Sequence, residues 1–178
     1  MVKKILIGLG LILAGLLIYA ALAPADFKIE RSIEIAATPA QIYPHLSNTK
    51  LVNAWNPFLQ ADPDTQITYE GMEAGVGAKT SWVSKKMGEG SATIIETVPN
   101  QKVKVRLDFV KPFKGTNITE YTLQPVEDRT RVTWAMTGQS NFMQRLICIF
   151  MNPDKVIGAE FEKGLILLRD RVSATAAL

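Results

Sequence analysis

Nineteen consecutive residues near the N-terminus, Ile5–Ala23 (ILIGLGLILAGLLIYAALA), carry no charge. A run of this kind has few ways to fold. As a helix it spans about 28 Å at roughly 1.5 Å per residue, close to a hydrocarbon core of about 30 Å. A helix also satisfies its own backbone, as a lipid environment requires. Lys3 and Lys4 precede the run, whereas Asp26, Lys28, Glu30 and Arg31 mix both signs after it. That asymmetry places the N-terminus in the cytoplasm and the remainder on the exported side. The alternative is a cleaved signal peptide and secretion. Ala21-Leu22-Ala23 has the small residues of a cleavage site. Pro24 directly after it is unfavourable for processing, and the apolar run exceeds the usual h-region. The expected organisation is therefore a membrane anchor over residues 1–25 and one domain over residues 26–178. Gly10 and Ala14 form a small-xxx-small pair that suits helix pairing, but the sequence leaves the oligomeric state open.

The remaining stretch is long enough to bury a core or to enclose a cavity. Twenty Lys/Arg against seventeen Asp/Glu give a net charge of +3. Two of the positive charges are Lys3 and Lys4, so the domain itself is close to neutral. No basic stripe interleaved with aromatics is present, which argues against nucleic acid as a partner. Cys148 is the only cysteine and His45 the only histidine. An intrachain disulfide is impossible, and the usual zinc ligand sets are out of reach. Cys148, in an apolar stretch, reads as a buried thiol, and His45 as a surface or helix-end residue. Asp62-Pro63-Asp64 lacks the further oxygen ligands and the glycine of a calcium loop. Gly75-Val76-Gly77 precedes a strand rather than a helix, so it does not cradle phosphate. No nucleophile elbow or triad spacing appears. The sequence thus assigns no catalytic residue, no metal and no cofactor.

Two periods divide the domain. Phe27–Ile35 alternates, with Phe27, Ile29, Ile33 and Ile35 on one face. Thr38-Pro39-Ala40-Gln41 reads as a capped helix start, and a second short helix runs from Asn48 to about Trp55, where Asn56-Pro57 ends it. Strands follow over Ile67–Glu70, up to Trp82 and Val83, and over Ala92–Val98, Lys102–Phe109, Thr116–Leu123 and Arg129–Thr137. Gly88-Glu89-Gly90 and Pro99-Asn100 serve as turns among them. The short connections imply an antiparallel meander. From Val156 the period changes: Ile157, Phe161, Leu165, Leu168 and Val172 form the apolar stripe of an amphipathic helix. The expected class is α+β, a curved antiparallel sheet wrapped around a long C-terminal helix.

The order of these pieces resembles the START-like (SRPBCC) superfamily with its helix-grip fold, and within it the polyketide cyclase/dehydrase-like lipid-transport group. The resemblance covers Phe27 to Val172. Its carriers are Ile33-Glu34-Ile35-Ala36-Ala37-Thr38-Pro39 running into Ile42-Tyr43, Trp55-Asn56-Pro57-Phe58, and Gly75-Val76-Gly77 leading to Trp82. Thr130-Arg131-Val132-Thr133-Trp134 and Phe161-Glu162-Lys163-Gly164-Leu165 complete the set. The resemblance implies an apolar cavity between sheet and helix, with lipids, sterols, hormones or polyketides as ligands and a minority of enzymes among its members.

On the residues alone, large side chains at regular spacing either fill a core or line a cavity. The resemblance selects the cavity, with Trp82, Phe109, Tyr121, Trp134 and Met136 from the strands and Phe142, Ile157, Phe161 and Leu165 from the helical third. Arg31 shares a face with Ile29 and Ile33. A bulge or an edge position would release it to solvent; otherwise it needs a buried partner, such as a ligand carboxylate or phosphate. The functional expectation is a membrane-anchored binder of an apolar or amphipathic small molecule. A cyclase/dehydrase-like enzyme and an interaction module for a membrane partner are the alternatives.

Overall fold

The computed structural model describes residues 2–176. Its first element is helix α1, Val2–Leu22, exposed along nearly its whole length, with Ala20 buried near its end. Strand β1 (Asp26–Ile35) follows, then four single-turn helices: α2 (Pro39–Ile42), α3 (Pro44–Ser47), α4 (Thr49–Asn53) and α5 (Pro57–Gln60). Six strands come next: β2 (Gln66–Glu70), β3 (Lys79–Ser84), β4 (Gly88–Val98), β5 (Lys102–Lys111), β6 (Gly115–Val126) and β7 (Arg129–Gln139). The short helix α6 (Phe142–Cys148) and the long helix α7 (Pro153–Ala176) close the described chain.

The strands form one antiparallel sheet in the order β1-β7-β6-β5-β4-β3-β2. Only β1 departs from the meander, crossing to pair with β7. Register shifts in β4, between Glu89 and Gly90 and between Ile94 and Glu96, bend the sheet. Because side chains alternate across a strand, the register aligns inward-facing rows. One runs Thr80, Ala92, Leu107, Asn117, Gly138 and Phe27. The next runs Ile94, Val105, Thr119, Met136 and Ile29. Val103, Tyr121, Trp134 and Arg31 make a third. The opposite face is ionic, with Lys104 pairing to both Glu96 and Glu120.

Helix α7 packs chiefly on β1 and β7 and against α2 and α5. Its stripe of Phe161, Leu165, Leu168 and Val172 is buried, so the 3.6-residue period finds its counterpart on one end of the sheet. Three local expectations need correction. Asn56-Pro57 begins a helix, with Asn56 Oδ1 accepting from the Phe58 N–H at 3.0 Å; Asn as N-cap and Pro at the first turn serve a start as well as a stop. Gly88 and Gly90 belong to β4 rather than to a turn, since a Cβ on Gly90 would come within 2.5 Å of Trp82 Cζ2. His45 is buried rather than at the surface, with its backbone carbonyl accepting from Trp55 Nε1–H. Burial and then nearby Arg171 push its imidazole below the usual histidine value.

Candidate functional site

Beyond the reach of α7 the inner face of the sheet opens on a cavity of about 940 Å³. Its walls come from four sources. The sheet supplies Thr80, Trp82, Ala92, Ile94, Leu107 and Phe109; α7 supplies Ile157 and Phe161; the short helices supply Leu46, Val52 and Phe58; α6 supplies Gln144, Arg145, Ile147 and Cys148. Tyr19, Ala23 and Pro24, at the end of α1 and just after it, complete the lining. The volume lies within the range of small-molecule pockets, and the lining is mostly apolar with few polar groups, as such pockets usually are.

One side of the cavity is an aromatic cluster. Trp134 stacks on Phe161 with centroids 4.1 Å apart, and Trp55, Phe58 and Tyr121 meet it at 5.5, 6.3 and 5.3 Å. The indole N–H of Trp134 donates to Thr119 Oγ1 at 2.8 Å, and the Thr119 hydroxyl donates onward to the Ala135 carbonyl. Burial pushes the Tyr121 phenol well above its ordinary value, so it remains a neutral hydroxyl. On the other side Trp82 meets Phe109 edge to face at 5.9 Å.

Seven of the nine residues expected from sequence to line a cavity do so: Trp82, Phe109, Tyr121, Trp134, Met136, Ile157 and Phe161. Leu165 and Phe142 lie off the lining. Leu165 is buried one turn farther along α7, in solid core. Phe142 is exposed on α6 and is not part of the lining. Cys148, expected as a core thiol, is half-buried in the cavity wall. The polar members, among them Asn53, Thr80, Asn117, Thr119, Gln144 and Arg145, escaped sequence reasoning, although register relative to Trp82 and Trp134 was a usable signal for Thr80 and Thr119.

Arg31 faces inward without a bulge, its register with Trp134 uninterrupted. Its partners are carboxylates of the protein itself. Nε donates to Glu162 Oε1 at 2.7 Å, Nη1 and Nη2 to the Asp154 carboxylate at 3.0 and 3.1 Å, and two backbone carbonyls take further N–H groups. A Cβ on Gly158 would meet the guanidinium at 2.1 Å. Asp154, Gly158 and Glu162 therefore form an acid–gap–acid stripe that receives Arg31 at the sheet edge, outside the cavity lining. Arg31 in turn holds the Asp154 carboxyl below its usual range, first by hydrogen bonding. Asp62, weighed above as a cation ligand, is buried. Its carboxylate accepts from Ser84 Oγ and from the N–H groups of Lys85 and Lys86, bracing the turn between β3 and β4. Among the described residues no cluster of His, Cys, Asp and Glu suits a metal ion.

Arg145 is the one charged residue of the lining among the described residues. Its Nη1 donates to the carbonyls of Ala21 and Ala23 at 3.2 and 2.8 Å. This clasp caps the C-terminal end of α1, where cations are favoured, and ties α1 to α6.

Solved structures share this architecture at low identity, and the likeness is one of fold. Protein CV1439 from Chromobacterium violaceum is 17% identical, with a TM-score of 0.60 over 82% of this chain and 96% of its own. The Aha1 dimer from Colwellia psychrerythraea is 18% identical, with a TM-score of 0.59 over 82% and 96%. Protein MLL2253 from Mesorhizobium loti is 17% identical, with a TM-score of 0.57 over 82% and 98%. No curated protein matches the chain. A family model for polyketide cyclase/dehydrase and lipid transport matches residues 26–172. With the helix-grip sheet, the long C-terminal helix and this match over most of its length, the chain belongs to the polyketide cyclase/dehydrase and lipid transport family of the START-like superfamily.

Proposed function

We propose that this protein holds an apolar or amphipathic small molecule, a lipid or a hydrophobic metabolite, in the cavity, and that α1 seats the mouth of that cavity at a membrane. Residues 1–25 act as the anchor and residues 26–178 as the binding domain, with the N-terminus cytoplasmic and the domain on the exported side. The observation that carries the reading is the continuity of the lining. Apolar wall runs from Leu107 and Phe109 on the sheet to Tyr19, Ala23 and Pro24 at the end of α1. Val2–Leu22 has the length and composition of a membrane span or a signal sequence. Exposed apolar side chains surround the same end: Phe113 between β5 and β6, and Phe142, Met143, Ile147, Phe150 and Met151 on and after α6. A cluster of this kind favours contact with another apolar phase, and its place beside α1 supports the bilayer as that phase.

Two measurements test the reading. Full-length protein should stay with membranes through a carbonate wash, and its intact mass should retain the first 25 residues. A mature chain beginning at Pro24 or Asp26 would remove the anchor. Mass spectrometry of an organic extract of purified protein should show an apolar species in stoichiometric amount; a clean extract would count against the ligand.

A further inference from the structure

Three buried hydrogen-bond donors on cavity-lining residues stand without partners, Thr80 Oγ1, Trp82 Nε1 and Arg145 Nε, and the first two lie together on β3. Thr80 Oγ1 and Trp82 Nε1 are both buried, and neither finds an acceptor among the described residues. Thr80 as a residue is only 4% exposed. They lie two apart on β3, so they point to the same face, and both line the cavity. The other two indoles of the chain are satisfied: Trp55 Nε1 donates to the His45 carbonyl, and Trp134 Nε1 to Thr119. Among the described residues Thr80 and Trp82 are the open donors of the sheet side of the cavity, and Arg145 Nε is a third on α6.

The surroundings hold the pair in place. The Trp82 ring lies against the Gly90 backbone, where a Cβ would come within 2.5 Å of Cζ2. Its other side meets the edge contact with Phe109. The indole cannot turn its N–H elsewhere without losing both contacts. The neighbours of Thr80 and Trp82 on β4 are Ala92 and Gly90, the smallest side chains available. A buried donor left unpaired is costly, and an acceptor placed against this stretch recovers that cost.

We propose that the ligand of this cavity carries an accepting oxygen of the carbonyl, ester or carboxyl type, and that Thr80 and Trp82 seat it. The inference rests on the cavity reading above and narrows it: the ligand is amphipathic, with its oxygen-bearing group against β3 and its apolar body against Leu107, Phe109 and Phe161. Sites built to hydrogen-bond a ligand group discriminate strongly against an analogue that lacks it.

The test uses full-length protein held in an amphipathic polymer and a matched pair of probes. These are 2-acetylnaphthalene and 2-isopropenylnaphthalene, in which CH2 replaces the carbonyl oxygen. The acetyl probe should bind about tenfold tighter, the worth of one good hydrogen bond. Among the three indole N–H resonances, the one absent in Trp82→Phe should move with the acetyl probe and stay with the isopropenyl probe. Thr80→Val should reduce the preference for the acetyl probe, with the Trp82 N–H still donating, while leaving the isopropenyl value unchanged, and Thr80→Ser should keep the full preference. Thr80→Val should also raise the unfolding midpoint without ligand, because it removes an unpaired buried hydroxyl; a structural role for the hydroxyl would lower it. Equal binding of both probes by the wild type, or equal weakening of both by Thr80→Val, would overturn this inference and leave the cavity standing. Failure of both probes to bind would overturn the cavity reading and this inference with it.

Discussion

The two ends of one sheet make an instructive pair. At the β1–β7 end, Ile35 and Val132 share one buried cluster with Leu165, Leu168 and Val172 of α7. At the β3–β5 end the same alternation presents Trp82, Ala92, Leu107 and Phe109, which line a cavity. The strand chemistry is alike at both ends; the cover differs. Helix α7 lies on β1 and β7 and starts only at Pro153, while the far end is roofed by single-turn helices and α6. A helix can fill the groove of a curved sheet only along its own length. The sheet bends away from it at the β4 bulges, and the space between is left as a cavity.

That contrast can be broken experimentally, most visibly where packing is solid. Leu168→Ala should cost about 2–5 kcal/mol and Phe161→Ala about 3–5 kcal/mol in denaturant unfolding, since both side chains are buried among many neighbours. Phe161 also borders the cavity, so its truncation should change probe uptake as well, which Leu168→Ala should not. At the open end Phe109→Ala should cost well under half as much, about 1 kcal/mol, because the half-buried ring has fewer contacts to lose. Equal losses at the two ends would mean that both are packed core.

The smallest effect concerns the sheet edge. Arg31 lowers the Asp154 carboxyl below its ordinary value. A depressed carboxyl stabilises the fold above its unfolded pKa of about 3.9 and loses that contribution as pH falls through the folded value. Arg31→Met should therefore be less stable than wild type at neutral pH, by a small margin because Asp154 is exposed. The difference should close as pH falls below about 4. A gap that is constant with pH would assign the effect to lost packing instead.

The same contrast explains what the sequence revealed. Alternation and the helical stripe were legible because each follows from local geometry, with period 2 in β5 and 3.6 in α7. They identify the inward face of an element, not how far along it the cover extends, and so Leu165 was placed on the cavity and lies in core. Phe142 was misjudged because a one- to two-turn helix such as α6 has no stable stripe to read. Alternation put Arg31 on the inward face, but release to solvent by a bulge or an edge position was the preferred expectation, and the uninterrupted register with Trp134 shows no bulge. The partners of Arg31 come from a helix more than 120 residues away, although Asp154, Gly158 and Glu162 at four-residue spacing were a visible receptor for it. Thr80 had no signal of its own, since a threonine in a strand is ordinary and its lack of a partner exists only in three dimensions.

The central claim, that the open end of the sheet binds a small molecule, is tested most directly by closing it. Ala92 lines the cavity between Thr80 and Leu107, and Ala92→Phe adds a ring into that space. Uptake of a fluorescent fatty acid should be measured for full-length wild type and Ala92→Phe, alongside their unfolding midpoints. The account predicts saturable one-to-one uptake by the wild type, and its loss in Ala92→Phe with the midpoint retained or raised. Equal uptake by both proteins, or a midpoint that falls steeply because no space was there to fill, would contradict it.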